Sequence, residues 1–129
     1  MESRKIKSDA NKHNIFSKKN LEFKKKLQKY LNTYQIKKIE KAFSVATRAH
    51  EGQKRQSGEE YIEHPLSVAS ILADFRLDHE SIMAAILHDV IEDTEIEKEN
   101  LKKNFGVKVS DLVDGVSKLD KINFSTKEE

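Results

Sequence analysis

The chain has 129 residues, 36% hydrophobic and 36% charged, too few for two well-developed domains and not so poor in apolar residues as to be wholly disordered. One Pro and four Gly leave too few turn signals for a many-stranded sandwich. With no Cys, disulfides and thiolate zinc sites are excluded, so any metal must be held by His, Asp, Glu or water.

The net charge of +2 conceals two unlike halves, with 13 Lys/Arg against 4 Asp/Glu through Lys41 and 11 against 18 from Ala42 onward. The abundance of Lys, Glu, Leu, Ile and Ala fits an all-α class. Residues 1–20 mix Lys, Ser, Asp and Asn without a sustained period and are expected to form a loose basic lead. They contain no apolar segment of the signal-peptide kind. Further along, uncharged runs such as Ser81 to Leu87 fall far short of the roughly 20 residues of a membrane span. The expectation is a cytoplasmic protein without a membrane partner. No aromatic or Gly-rich interleaving accompanies the lysines, so nucleic acid is not an expected partner either.

The domain itself is expected over residues 21–124, with 125–129 a polar tail. Leu21, Phe23, Leu27, Tyr30, Leu31 and Tyr34 predict a short amphipathic helix. Ile36, Ile39, Ala42, Phe43, Ala46 and Ala49 mark a second, from Gln35 to Glu51, ending at Gly52. Gly52 to Tyr61 is polar with two Gly and reads as a loop. Glu63-His64-Pro65 opens the next helix, because Pro in a first turn loses no hydrogen bond, and Leu66, Val68, Ala69, Ile71, Leu72 and Phe75 supply its apolar face. Asp78 is a suitable N-cap for SIMAAILHDVIED, which is apolar nearly all round and should be the central helix. Glu97 to Phe105 predicts a short helix stopped at Gly106, and Val107 to Leu119 another, with Val109, Leu112, Val113 and Val116 inward.

Chemistry concentrates at the end of the central helix. Glu92 lies four residues from His88 and three from Asp89, and Asp93 lies four from Asp89, so one helical face gathers an imidazole and three carboxylates. Like charges at that spacing destabilise a helix, and its C-terminal dipole disfavours negative charge by roughly 0.3–1 kcal/mol per group. A divalent cation would reverse the penalty, since imidazole and carboxylate together suit manganese, iron or zinc. The other reading is an exposed acidic helix end, and spacing alone does not choose between them. His64, in a His-Pro pair 24 residues before His88, can return across a helical hairpin as a third ligand or simply cap its own helix.

Three ordered blocks then carry a resemblance. HEGQKRQSGEEYIEHP (His50 to Pro65), ILHDVIEDT (Ile86 to Thr94) and LVDGVSKLDKI (Leu112 to Ile122) are similar to the HD hydrolase domain of the Rel/SpoT family of guanosine tetra- and pentaphosphate enzymes. The resemblance implies a helical bundle around one divalent ion, usually manganese, and a reaction that removes the 3′-diphosphate to return GDP or GTP. It implies His64, His88 and Asp89 as three of four protein ligands to the metal. Glu92 and Asp93 correspond to the acids that activate or guide the attacking water. It places Arg55, Gln56 and Ser57 in the loop that embraces the nucleotide, with Tyr61 supporting it. Lys54 and Lys118 are candidate phosphate contacts, with ordinary solvated charge as the competing reading for both.

This chain departs from the family pattern in three places. Gln56 stands where many relatives have a basic residue, and Glu60 where many have Pro. The family's fourth ligand, an Asp from a later block, has no counterpart before Glu129. The resemblance therefore implies an HD bundle incomplete on its C-terminal side, with self-association or a complementary chain as the expected ways to cover the open surface. Two functions follow as expectations: a metal-dependent guanosine tetra- or pentaphosphate 3′-pyrophosphohydrolase impaired by truncation, or a non-catalytic HD remnant that binds nucleotide or a partner chain.

Overall fold

The structure, a computed structural model, describes the backbone of residues 18–51 and 62–128 and side chains as far as Lys118, Ser117 excepted. Among the described residues it is all helix, as the apolar spacing predicts. The elements are α1 (18–28), α2 (Thr33–Ala49), α3 (Glu63–Asp74), α4 (His79–Asp93), α5 (Lys98–Phe105) and α6 (Val107–Glu128). The expected loop Gly52 to Tyr61 lies outside the described residues, as does the lead up to residue 17.

Helix α4 is the central element, packed against α2, α3 and α6, while α5 packs on α6. Its residues Ile82, Met83, Ala84, Ile86, Leu87 and Val90 are all buried, an apolar surface too wide for a helix with one solvent face. Burying a side chain such as Leu87 contributes about 1.5–3 kcal/mol, and a single core links Phe23 and Leu27 of α1 with Leu101 and Phe105 of α5 and Val109 and Val113 of α6.

Local signals set the joints. Asn32 caps α2 by accepting from the backbone of Gln35 while the Gln35 side chain accepts from the Asn32 backbone, a reciprocal capping box that satisfies two orphan donors. That cap divides the first predicted helix: α1 ends at residue 28, Tyr34 belongs to α2, and its ring lies 66% exposed. Helix α2 ends at Ala49, two residues before the expected Glu51, with His50 as its C-cap. Asp78 caps α4 as expected, accepting from the backbone of Ser81. Gly106 takes a φ of 95°, the left-handed region open to a residue without Cβ, and joins α5 to α6 through one residue.

Two expectations about packing and extent are corrected. Ile71 and Phe75, placed on the apolar face of α3, are 55% and 75% exposed. At about 100° per residue they point away from the stripe of Leu66, Ala69 and Ala73 that is buried. Helix α6 continues to Glu128, past the expected stop at Leu119, so the backbone of the supposed tail over 125–128 is helical.

Candidate active site

One face of α3 from His64 to Leu72, α4 from Ser81 to His88, and α6 at Leu112 and Val116 surround a groove of about 500 Å³. Its walls are apolar, with Val68 and Leu72 from α3, Ala84 and Ala85 from α4, and Leu112 and Val116 from α6. His64 and His88 are its imidazoles. The hairpin return inferred from sequence is therefore realised: 24 residues apart in the chain, the two rings line one space.

Asp89 completes the group. His88 Nε2 lies 2.9 Å from Asp89 Oδ1, with both side chains 15% exposed, and His88 Nδ1 lies 3.3 Å from the carbonyl oxygen of Ala85. Both neighbours are acceptors, so a ring nitrogen that bonds either of them must carry the hydrogen, and the tautomer decides which bond is made. Burial pushes the Asp89 carboxyl up, but the hydrogen bond from His88 and the charges of His88, His64 and His50 together hold it below the ordinary aspartate range. Asp89 therefore stays ionised at neutral pH although it is largely buried.

The remaining expected site residues are less converged. Glu92 and Asp93 sit exposed in the last turn of α4, and neither lines the groove. Lys118 is 72% exposed and bonds Asp114 Oδ2 at 3.1 Å one turn earlier on α6. Lys54, Arg55, Gln56, Ser57 and Tyr61 lie outside the described residues.

His50, which opens the first motif, is enclosed in the core and does not line the groove. It is only 2% exposed, and its charge is among those acting on Asp89. The signal was available, because His50 stands four residues beyond Ala46 and so continues the buried stripe of α2.

Among the described residues, no three His, Cys, Asp or Glu side chains are grouped so as to hold a metal ion. The donors themselves fit one: two imidazoles and a carboxylate suit a divalent transition ion. His64 and His88 share the groove, and Asp89 is bonded to His88. What the arrangement lacks is orientation, because His88 Nε2 is directed at Asp89, and that pair must open before both can face a common ion.

A family model described as HD domain matches residues 42–129. The chain belongs to the HD-domain family. Its relatives are of the Rel/SpoT kind, as the three motifs implied. It is 54% identical over 103 residues to the bifunctional (p)ppGpp synthase/hydrolase SpoT of Escherichia coli (strain K12), covering 80% of this chain and 15% of that protein. It is 61% identical over 85 residues to the guanosine-3′,5′-bis(diphosphate) 3′-pyrophosphohydrolase of Haemophilus influenzae, covering 66% of this chain and 13% of that protein. Among solved structures, a metazoan ortholog of SpoT that hydrolyzes ppGpp superposes with a TM-score of 0.57 at 33% identity, covering 65% of this chain and 47% of that one. The HD chain thus spans about 15% of the length of its full-length bacterial relatives. No helix among its described residues is long and apolar enough to cross a membrane.

Proposed function

We propose that this HD chain serves the hydrolysis of guanosine tetra- or pentaphosphate at the 3′-diphosphate, returning GDP or GTP in the cytoplasm. The observation that carries the reading is the meeting of His64 with the His88–Asp89 pair at one groove, in a chain whose relatives are named for that reaction.

His64, His88 and Asp89 would hold the divalent ion, manganese by family resemblance, which when bound lowers the pKa of water and neutralises developing phosphate charge. Asp89, held below the ordinary aspartate range chiefly by its hydrogen bond from His88, supplies the negative donor. Glu92 and Asp93, one turn further along α4, accept the proton of the attacking water, a task that needs a carboxylate within hydrogen-bond reach. Arg55, Gln56 and Ser57 bind the guanine nucleotide. Lys54 and Lys118 are available to its phosphates, Lys118 after exchanging Asp114 for a phosphate oxygen.

The apolar groove supports a second element of the reading. Its apolar walls are only partly buried, and a further helix carrying an Asp at the histidine end, from a longer chain or a complementary one, would close the groove and supply the fourth ligand.

Manganese-dependent release of pyrophosphate from guanosine tetraphosphate tests the function. The 129-residue chain alone is expected to be slow or inactive, because a misplacement of about 1 Å costs roughly 10²-fold. Adding a segment that brings a further Asp to the histidine end of the groove, in cis or as a second chain, is expected to raise the rate. Glu92→Gln or Asp93→Asn should abolish that gain with folding and manganese content unchanged. Rapid turnover by the unaided chain would remove the need for completion, and no turnover after completion would remove the hydrolase reading.

A further inference from the structure

We infer that the groove between α1 and α2 is a docking surface for an acidic amphipathic helix of a partner protein. It stands apart from the histidine groove and shares none of its lining residues. Two hollows, of about 330 and 420 Å³, meet at Lys24, Ile36 and Glu40, which line both. Along α2 their combined wall runs through Thr33, Ile36, Lys37, Glu40, Phe43 and Ser44, a spacing of threes and fours that keeps all six on one face of the helix. At 1.5 Å per residue that face is about 16 Å long, enough to lie against about three turns of a further helix. The floor is apolar: Phe23, Leu27 and Ile39 are buried beneath it, and Leu21 stands at its edge 54% exposed. Such a groove accepts the apolar stripe of an amphipathic helix, with anchors at i, i+3, i+4 and i+7.

Charge selects the partner. Residues 18–41 carry nine Lys against two Glu. Glu40, inside the groove, is already matched by Lys24 at 3.1 Å, and Lys26 is held by Asp74 and Ser70. Lys25, Lys29 and Lys37 are exposed and make no ion pair among the described residues. Lys37 belongs to the groove wall, and Lys25 and Lys29 each follow a residue that lines it, Lys24 and Gln28. A rim of unopposed positive charge steers acidic partners in and turns basic ones away. A nucleic acid would use the lysines but not the floor, because a base stacks only on an aromatic face it can reach, and Phe23 is buried.

The test starts from a library of displayed helices of about 12 residues, or three turns, with apolar anchors fixed at i, i+3, i+4 and i+7 and the other positions randomised. Selection on the immobilised full chain is expected to enrich Asp and Glu at the randomised positions. The enriched helix, titrated as a labelled peptide, should bind at least about tenfold more weakly to Leu21→Glu and to the double variant Lys25→Glu/Lys37→Glu. All three positions are exposed, so circular dichroism and melting temperature should stay close to wild type. The lysine variant carries the test by itself if Leu21→Glu disturbs folding.

No enrichment, enrichment without an acidic bias, or binding indifferent to both variants would overturn the inference. Tighter binding to single-stranded RNA or to phosphatidylglycerol vesicles, lost in the lysine variant and kept in Leu21→Glu, would make the face a polyanion site and overturn it too. Self-association seen by light scattering and abolished by Leu21→Glu would give the groove to a second copy of the chain instead of a partner protein.

Discussion

The two ends of α4 are built on opposite principles. At its N-terminus Asp78 accepts from both the backbone N–H and the hydroxyl of Ser81, and Glu80 in the first turn is matched to the positive end of the helix dipole. Lys108 of α6 reaches Glu80 at 3.1 Å. Every charge there favours the fold. At the C-terminus Asp89, Glu92 and Asp93 crowd toward the negative end of the dipole with no basic residue in the last turn. Thr94 closes that end by bonding the carbonyl of Val90. A helix that is electrostatically sound at one end and strained at the other marks where chemistry outranks stability.

Cutting the core between the two ends should have the largest effect. Leu87 is fully buried, and Leu87→Ala is expected to destabilise the fold by about 2–5 kcal/mol, measured by urea unfolding. A loss under about 1 kcal/mol would mean that α4 is not the central helix of the folded chain.

The next effect is confined to the C-terminal end. His88→Ala is expected to weaken manganese binding by more than about 100-fold, exceeding the loss of an outer partner, and to lower the melting temperature as well, because it leaves the largely buried Asp89 without its hydrogen bond. Equal binding by wild type and His88→Ala would take this residue out of the site.

Asp78→Ala should act on the N-terminal end alone. The loss of a cap costs about 1 kcal/mol, with manganese affinity unchanged. Its pH dependence has a definite sign. Burial raises the Asp78 carboxyl, but the hydrogen bonds from Ser81 and the charge of Lys108 hold it below its ordinary value of 3.8, and Asp89 is likewise depressed. A carboxyl whose pKa is lower folded than unfolded stabilises the fold above the unfolded value. That contribution is lost as the pH falls from about 3.8 through the depressed values. Stability should therefore decline below about pH 4, less steeply in Asp78→Ala, as followed by the urea midpoint at each pH.

The smallest expected effect has the opposite sign. Neutralising Glu92 relieves charge at the wrong end of the dipole, so Glu92→Gln should stabilise the chain by roughly 0.3–1 kcal/mol. Destabilisation would show that the acidic end contributes to the fold and erase the contrast.

The legibility of the sequence follows the same division. Periodicity alone located α2, α4, α5 and most of α3, and the Asp78 cap and Gly106 break were read where they occur, because each depends on a few neighbouring residues. The Asn32-x-x-Gln35 capping box is equally local, and it, not the apolar spacing, puts Tyr34 in α2. The apolar face of α3 was drawn too wide. Six apolar residues encircle that helix, and only its placement against α4 determines that Leu66, Ala69 and Ala73 face inward while Ile71 and Phe75 do not.

By itself the sequence determined the helical class, the joints between helices, the HD kinship and the proximity of His88 to Asp89, since adjacent residues need no fold to meet. Tertiary structure alone decided that His64 shares a groove with His88, that His50 is enclosed in the core, and that Glu92 and Asp93 stay on the surface. The reason is physical: a helix period specifies which residues share a face, but which of those faces meet depends on how α2, α3 and α6 settle around α4, a balance of burial summed over the whole core.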